Sequence, residues 1–240
     1  MEMGFESYDR APAALEERSV AQQQSSFINR VFGWMTVGLA VSGVIAYLVA
    51  QNADLLIKVA RGVWVIVILE LVVVVGLSAA INRLSPMAAT LGFLFFAALN
   101  GLTLSFIFVA YAPDVLMTTF FVTSGTFGAT GLYGWLTRRD LSTLGSLCFM
   151  GLIGIIIASI VNFFFRNPAL YFIVSIFGVL VFVGLTAYDM QKIKRMAIAV
   201  GDGEIEETGA RKLAILGALD LYLDFVNLFL YLLRIFGNRR

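Results

Sequence analysis

Seven separate runs of about twenty apolar residues divide this chain, at Val31 to Ala50, Val63 to Ile81, Ala88 to Tyr111, Val115 to Leu136, Thr143 to Phe165, Ala169 to Asp189 and Leu213 to Leu233. About 20 residues of helix cross roughly 30 Å of hydrocarbon. The runs therefore predict an all-α membrane protein, a seven-transmembrane-helix bundle whose first partner is the lipid bilayer. Composition agrees, since 60% of the 240 residues are hydrophobic and only 14% are charged.

The same composition excludes several classes of chemistry. A net charge of +1, with basic residues scattered singly between apolar runs, gives no stripe for nucleic acid. One cysteine, Cys148, permits no internal disulfide, paired-cysteine metal site or iron–sulfur cluster. The chain has no histidine, so any proton switching near neutrality falls to carboxyl groups. No nucleophile stands beside a recognisable base, and an enzyme is not expected.

Residues 1–26 read as a flexible cytoplasmic tail and residues 27–240 as a seven-helix membrane domain. Met1 to Arg30 lacks the apolar core of a cleaved signal peptide. Pro86, Pro113 and Pro168 stand at helix starts, where a missing N–H costs little. With the amino terminus placed inside, eleven of the 17 Lys and Arg residues fall on the cytoplasmic side, which predicts that orientation.

An ionised carboxylate in mid-bilayer costs on the order of 3 kcal/mol on insertion scales, so acids there should face the bundle or water. Four stand out: Glu70, Asp189, Asp220 and Asp224. Asp220, Asp224 and Asn227 share one face of the seventh helix by their spacing. A helix with such a stripe is best surrounded by the other six, which makes the C-terminal helix central. The alternative is a stripe that only hydrogen-bonds helices together. Asp189, in turn, could be an interfacial acid paired with Lys192 or Lys194. Glu70 has no ionisable neighbour within a turn, so it should meet a partner from another helix or stay protonated. Gly125, Gly128, Gly131 and Gly134 read as a close-packing stripe on the fourth helix, as do Gly151 and Gly154 on the fifth. The acidic segment Asp202 to Glu207 lacks the spacing of a calcium-binding loop.

The segments TAYDMQKIKRM, closing the sixth run, and LDLYLDFVNLFLYLLRIF, in the seventh, resemble the Bax inhibitor-1 family. The resemblance covers essentially Phe27 to Phe236. It implies a bundle with the seventh helix in the middle and a pH-responsive calcium leak in a bacterial inner membrane. No cofactor is implied, and calcium is the transported ion. It also implies an aspartate pair as proton sensor, Asp189 in TAYD and Asp224 in LYLDF, with transient contact to Ca2+. Two carboxylates held close cannot both ionise cheaply and can share one proton. Depth arithmetic, however, pairs Asp189 with Asp220, which is kept as the reserve candidate. A basic residue ending the second helix would latch the pair; Arg83 is the candidate, with Glu70 as a further gate residue. Two other functions stay open: a non-transporting regulator of a membrane protease or another membrane partner, and a proton-coupled cation transporter.

Overall fold

The computed structural model describes residues 6–237, with side chains from Ser19 onward, so residues 1–5 of the segment read as a tail lie outside the described residues. Seven helices follow one another: α1 (Glu6–Ala50), α2 (Ala53–Ala80), α3 (Pro86–Ala110), α4 (Pro113–Leu136), α5 (Ser142–Phe165), α6 (Pro168–Gly201) and α7 (Glu207–Phe236). Each has a stretch long and apolar enough to cross a membrane, and no strand occurs among the described residues.

Helix ends form where local chemistry supplies the missing hydrogen bonds. Asn52 caps α2 by accepting from the Leu55 N–H at 3.1 Å, and Ser85 caps α3 by accepting from the Ala88 N–H at 3.2 Å. Asn167 does the same for α6 through Ala169 at 2.9 Å, with Pro168 in the first turn. The largest departure from the apolar pattern is α6, which continues beyond Asp189 to Gly201. Hydropathy stops at the membrane edge, whereas the backbone has no reason to stop there: residues 190–201 contain neither Pro nor an internal Gly.

The C-terminal helix is central. In its most apolar stretch 61% of residues are buried, against 6% in α2. It packs chiefly on α1, α3, α4 and α6, while α2 lies against α3 and α1, and α5 lies against α6. Four helices thus enclose α7 where six were expected. The outward faces carry bulky apolar side chains such as Trp64, Ile68, Leu71, Phe121 and Phe177, as a lipid-facing surface requires.

At one end of the bundle, polar contacts tie together the middle of α1 and the α2–α3, α4–α5 and α6–α7 connections. Arg30 approaches Glu207 at 4.0 Å, Lys212 donates to the Asn82 carbonyl at 3.1 Å and Arg195 pairs with Asp140 at 2.6 Å. With seven spans, the C-terminal end of α7 lies at the other end.

Candidate functional site

Helices α6 and α7 run antiparallel from a short connection, and this sets the heights of their acids. At ~1.5 Å per residue, Asp189 and Asp220 both lie roughly 20 Å from the connected ends, with Asp224 about one turn deeper. Asp220 does not pair with Asp189, because its Oδ2 accepts from Lys192 Nζ at 2.8 Å. The Asp189 carboxyl instead meets that of Asp224.

Asp224 is 3% exposed, and its Oδ2 receives no hydrogen bond from any N–H or hydroxyl among the described residues. The Thr186 hydroxyl, which donates to the Phe182 carbonyl at 2.7 Å, lies beside this carboxyl. A buried carboxyl oxygen without a donor is expensive, and the carboxyl that bears it lies against a second one. One shared proton would satisfy both groups. Lys192, one turn from Asp189 toward the polar end, is the cation beside this cluster.

The stretch of α6 beyond Asp189 is anchored to the α4–α5 connection. Gln191 donates from Nε2 to the Arg139 carbonyl at 2.8 Å and accepts from the Leu141 N–H at 2.9 Å. Lys194 donates to the Trp135 carbonyl at 2.7 Å and lies 5.7 Å from the centroid of that residue's ring. Neither Lys192 nor Lys194 pairs with Asp189. Arg195 binds Asp140, and hydrogen bonds from the Ser142 hydroxyl and N–H, with that guanidinium, hold the exposed Asp140 carboxyl down to about 2. A group held low contributes above its unfolded value and is lost only as pH falls toward about 2. Asp140 therefore stays ionised through the neutral range.

The remaining candidates lie apart from the pair. Glu70 accepts from the Thr103 hydroxyl of α3 at 3.0 Å, a partner from another helix. Arg83 is exposed in the α2–α3 connection, forms no ion pair among the described residues and is not brought to the aspartates. Asn227 donates back to the Leu223 carbonyl at 2.8 Å and does not join the carboxyls of its face. A polar group unseen in the sequence occupies the opposite side of α7. Fully buried Tyr222 donates to Asn100 Oδ1 at 3.0 Å and shares a 2.6 Å contact with Ser42 Oγ. Tyr, Ser and Asn are ordinary residues in spans, so only the fold reveals that they converge.

Among the described residues no three His, Cys, Asp or Glu side chains are arranged to hold a metal ion.

The Lys192–Asp220 contact yields a stability prediction. Both side chains are partly exposed, at 36% and 21%, which screens the pair. Lys192→Met is expected to destabilise by about 1–3 kcal/mol, because it leaves Asp220 unpaired. The Lys192→Met/Asp220→Asn double variant should recover most of that loss. Thermal midpoints of the three proteins in detergent would check it, and strict additivity would contradict the coupling.

A seven-helix membrane protein with a buried carboxyl pair between its last two helices is the class defined by fold and site. The family model described as "Inhibitor of apoptosis-promoting Bax1" matches residues 24–240, and the chain belongs to this Bax inhibitor-1 family. It is 45% identical over 239 residues to inner membrane protein YbhL of Escherichia coli, covering 98% of this chain and 100% of that protein. A protein of Borreliella burgdorferi is 42% identical over 229 residues, 94% of this chain and 97% of its own length. One of Deinococcus radiodurans is 39% identical over 227 residues, 95% and 96% respectively.

Proposed function

We propose that this chain is a pH-responsive cation leak channel of a bacterial inner membrane, with Ca2+ as substrate and Asp189 with Asp224 as its proton switch. The reading is carried by one observation: two carboxyls on adjacent central helices face each other in the bundle core, and one of them has a buried oxygen without a donor. The inner-membrane name of the Escherichia coli relative supports the location. The polar end rich in Arg139, Lys194 and Arg195 faces the cytoplasm in this reading.

With one proton between them, Asp189 and Asp224 hold α6 against α7. Loss of that proton leaves two like charges in a low-dielectric core. Their repulsion at ~4 Å, with an effective dielectric near 20, is about 4 kcal/mol. Such an energy is ample to shift populations of closed and open bundles. The same two charges attract a divalent cation.

Flux into proteoliposomes loaded with a calcium-sensitive dye, measured across neutral pH, tests this function. Calcium entry above that of protein-free vesicles, varying with pH but needing no proton gradient, is the expected result. Entry that requires a proton gradient would make the protein a coupled transporter, and no entry at any pH would overturn the channel reading.

A further inference from the structure

At the end of the bundle remote from the aspartates, a cavity of about 460 Å³ opens where α5 gives way to α6 beside the last turns of α7. Its polar lining comes from Ser159, Asn162, Arg166, Asn167, Tyr171 and Arg234, with no Asp or Glu. Arg234 is half-buried, and its guanidinium lies 5.5 Å from the Tyr171 ring centroid and 4.9 Å from that of Tyr231. The stacking fixes the guanidinium in place while leaving its N–H edge available. Arg166 ends α5 in the left-handed region, at φ 50°. Neither arginine is in an ion pair among the described residues. Two arginines close to hydrocarbon, with no acidic partner among the described residues, make a site that favours an anion with several oxygens, and a phosphate matches the guanidinium geometry.

A second feature identifies what carries the phosphate. Tyr171 and Arg234 also wall an adjoining cavity of about 290 Å³ whose other lining residues, including Phe106, Ile107, Leu230 and Leu233, are mainly apolar. Polar and apolar spaces thus meet at the same two side chains. Phe163 lines the polar cavity, and it and the next two residues of α5, Phe164 and Phe165, are 61%, 75% and 77% exposed, bulky rings that belong in lipid.

We propose that this paired cavity binds an anionic phospholipid, with its phosphate on Arg166 and Arg234 and an acyl chain along Leu230 and Leu233. The headgroup compensates arginines that form no ion pair among the described residues. The acyl chain fills the apolar space that a free phosphate would leave empty. This assignment is independent of the leak function, since it involves neither Asp189 nor Asp224.

Native mass spectrometry of the full chain, released from detergent after incubation with phosphatidylglycerol or phosphatidylcholine, tests the site. Wild type should retain phosphatidylglycerol at least fivefold over phosphatidylcholine. Arg166→Gln/Arg234→Gln should lose that preference. Arg166→Gln alone, which removes no ring stacking, should lose at least half of it, so the test survives if the Arg234 change impairs folding. Equal retention of the two lipids, or wild-type preference in Arg166→Gln and the double variant, would overturn the proposal. Full displacement of phosphatidylglycerol by an equal concentration of inorganic phosphate would also overturn it, making this a soluble-anion site.

Discussion

Calcium flux through the Asp224→Asn protein is expected to lose its dependence on pH across the neutral range, while the protein remains folded. Asparagine keeps the shape of the carboxyl but carries no titrating proton. Its amide can donate permanently to Asp189, reproducing the contact of a protonated pair. In wild type, proton loss costs about 4 kcal/mol of repulsion, enough to change an open-to-closed ratio by up to ~10³. A tenfold or greater pH variation of flux in wild type should therefore fall to less than twofold in the variant.

Other groups near the pair set the controls. Asp220 lies beside Asp189 but is neutralised by Lys192 at 2.8 Å, so Asp220→Asn should keep a pH-dependent flux. Cys148 of α5 also approaches Asp224, and Cys148→Ala should likewise keep the response. Asp189→Asn should behave as Asp224→Asn does. Thermal stability of Asp224→Asn should equal or exceed that of wild type, since an uncompensated buried charge site is removed. A wild-type pH profile in both Asn variants would end the assignment of these residues as the switch.

The helices were legible because the bilayer imposes a length, and seven runs near that length left little freedom. Their partners were less so. Depth arithmetic assigned Asp189 to Asp220, and the two do lie at one height, but α6 continues to Gly201 and carries Lys192 one turn beyond Asp189 to claim Asp220. That choice depends on the facing of two helices, which hydropathy does not report. Motif resemblance selected Asp224 where spacing could not. Arg83 could not be placed from sequence for a related reason: a connection two or three residues longer or shorter turns its side chain away from the core, and here it is exposed. Residues such as Tyr222, Ser42 and Asn100 gave no signal, because their convergence joins three helices distant in the chain.

The glycine stripe of α4 separates packing from pattern, and Gly134→Ala is expected to be the most damaging of its small substitutions. A step of three residues turns an α-helix about 60° short of a full circle. Over three such steps Gly125 and Gly134 come to face roughly opposite sides, so the stripe cannot pack along one neighbour. A Cβ on Gly134 would collide with the Ala187 backbone at its carbonyl, whereas one on Gly125 or Gly128 would meet nothing within 4 Å. At Gly131 the nearest atom is Met190 Cγ, an ordinary contact at 3.8 Å. Backbone cannot yield as a side-chain tip does, so Gly134→Ala should push α4 from α6 at a cost of about 1–3 kcal/mol. Ala187 lies two residues before Asp189, and the displacement should alter flux as well as stability. Gly128→Ala should leave the thermal midpoint unchanged or slightly raised, because alanine is the better helix former. Thermal unfolding of both variants in the same detergent compares them directly. Equal losses at the two positions would show that glycine acts through the flexibility of α4 and not through its contact with α6.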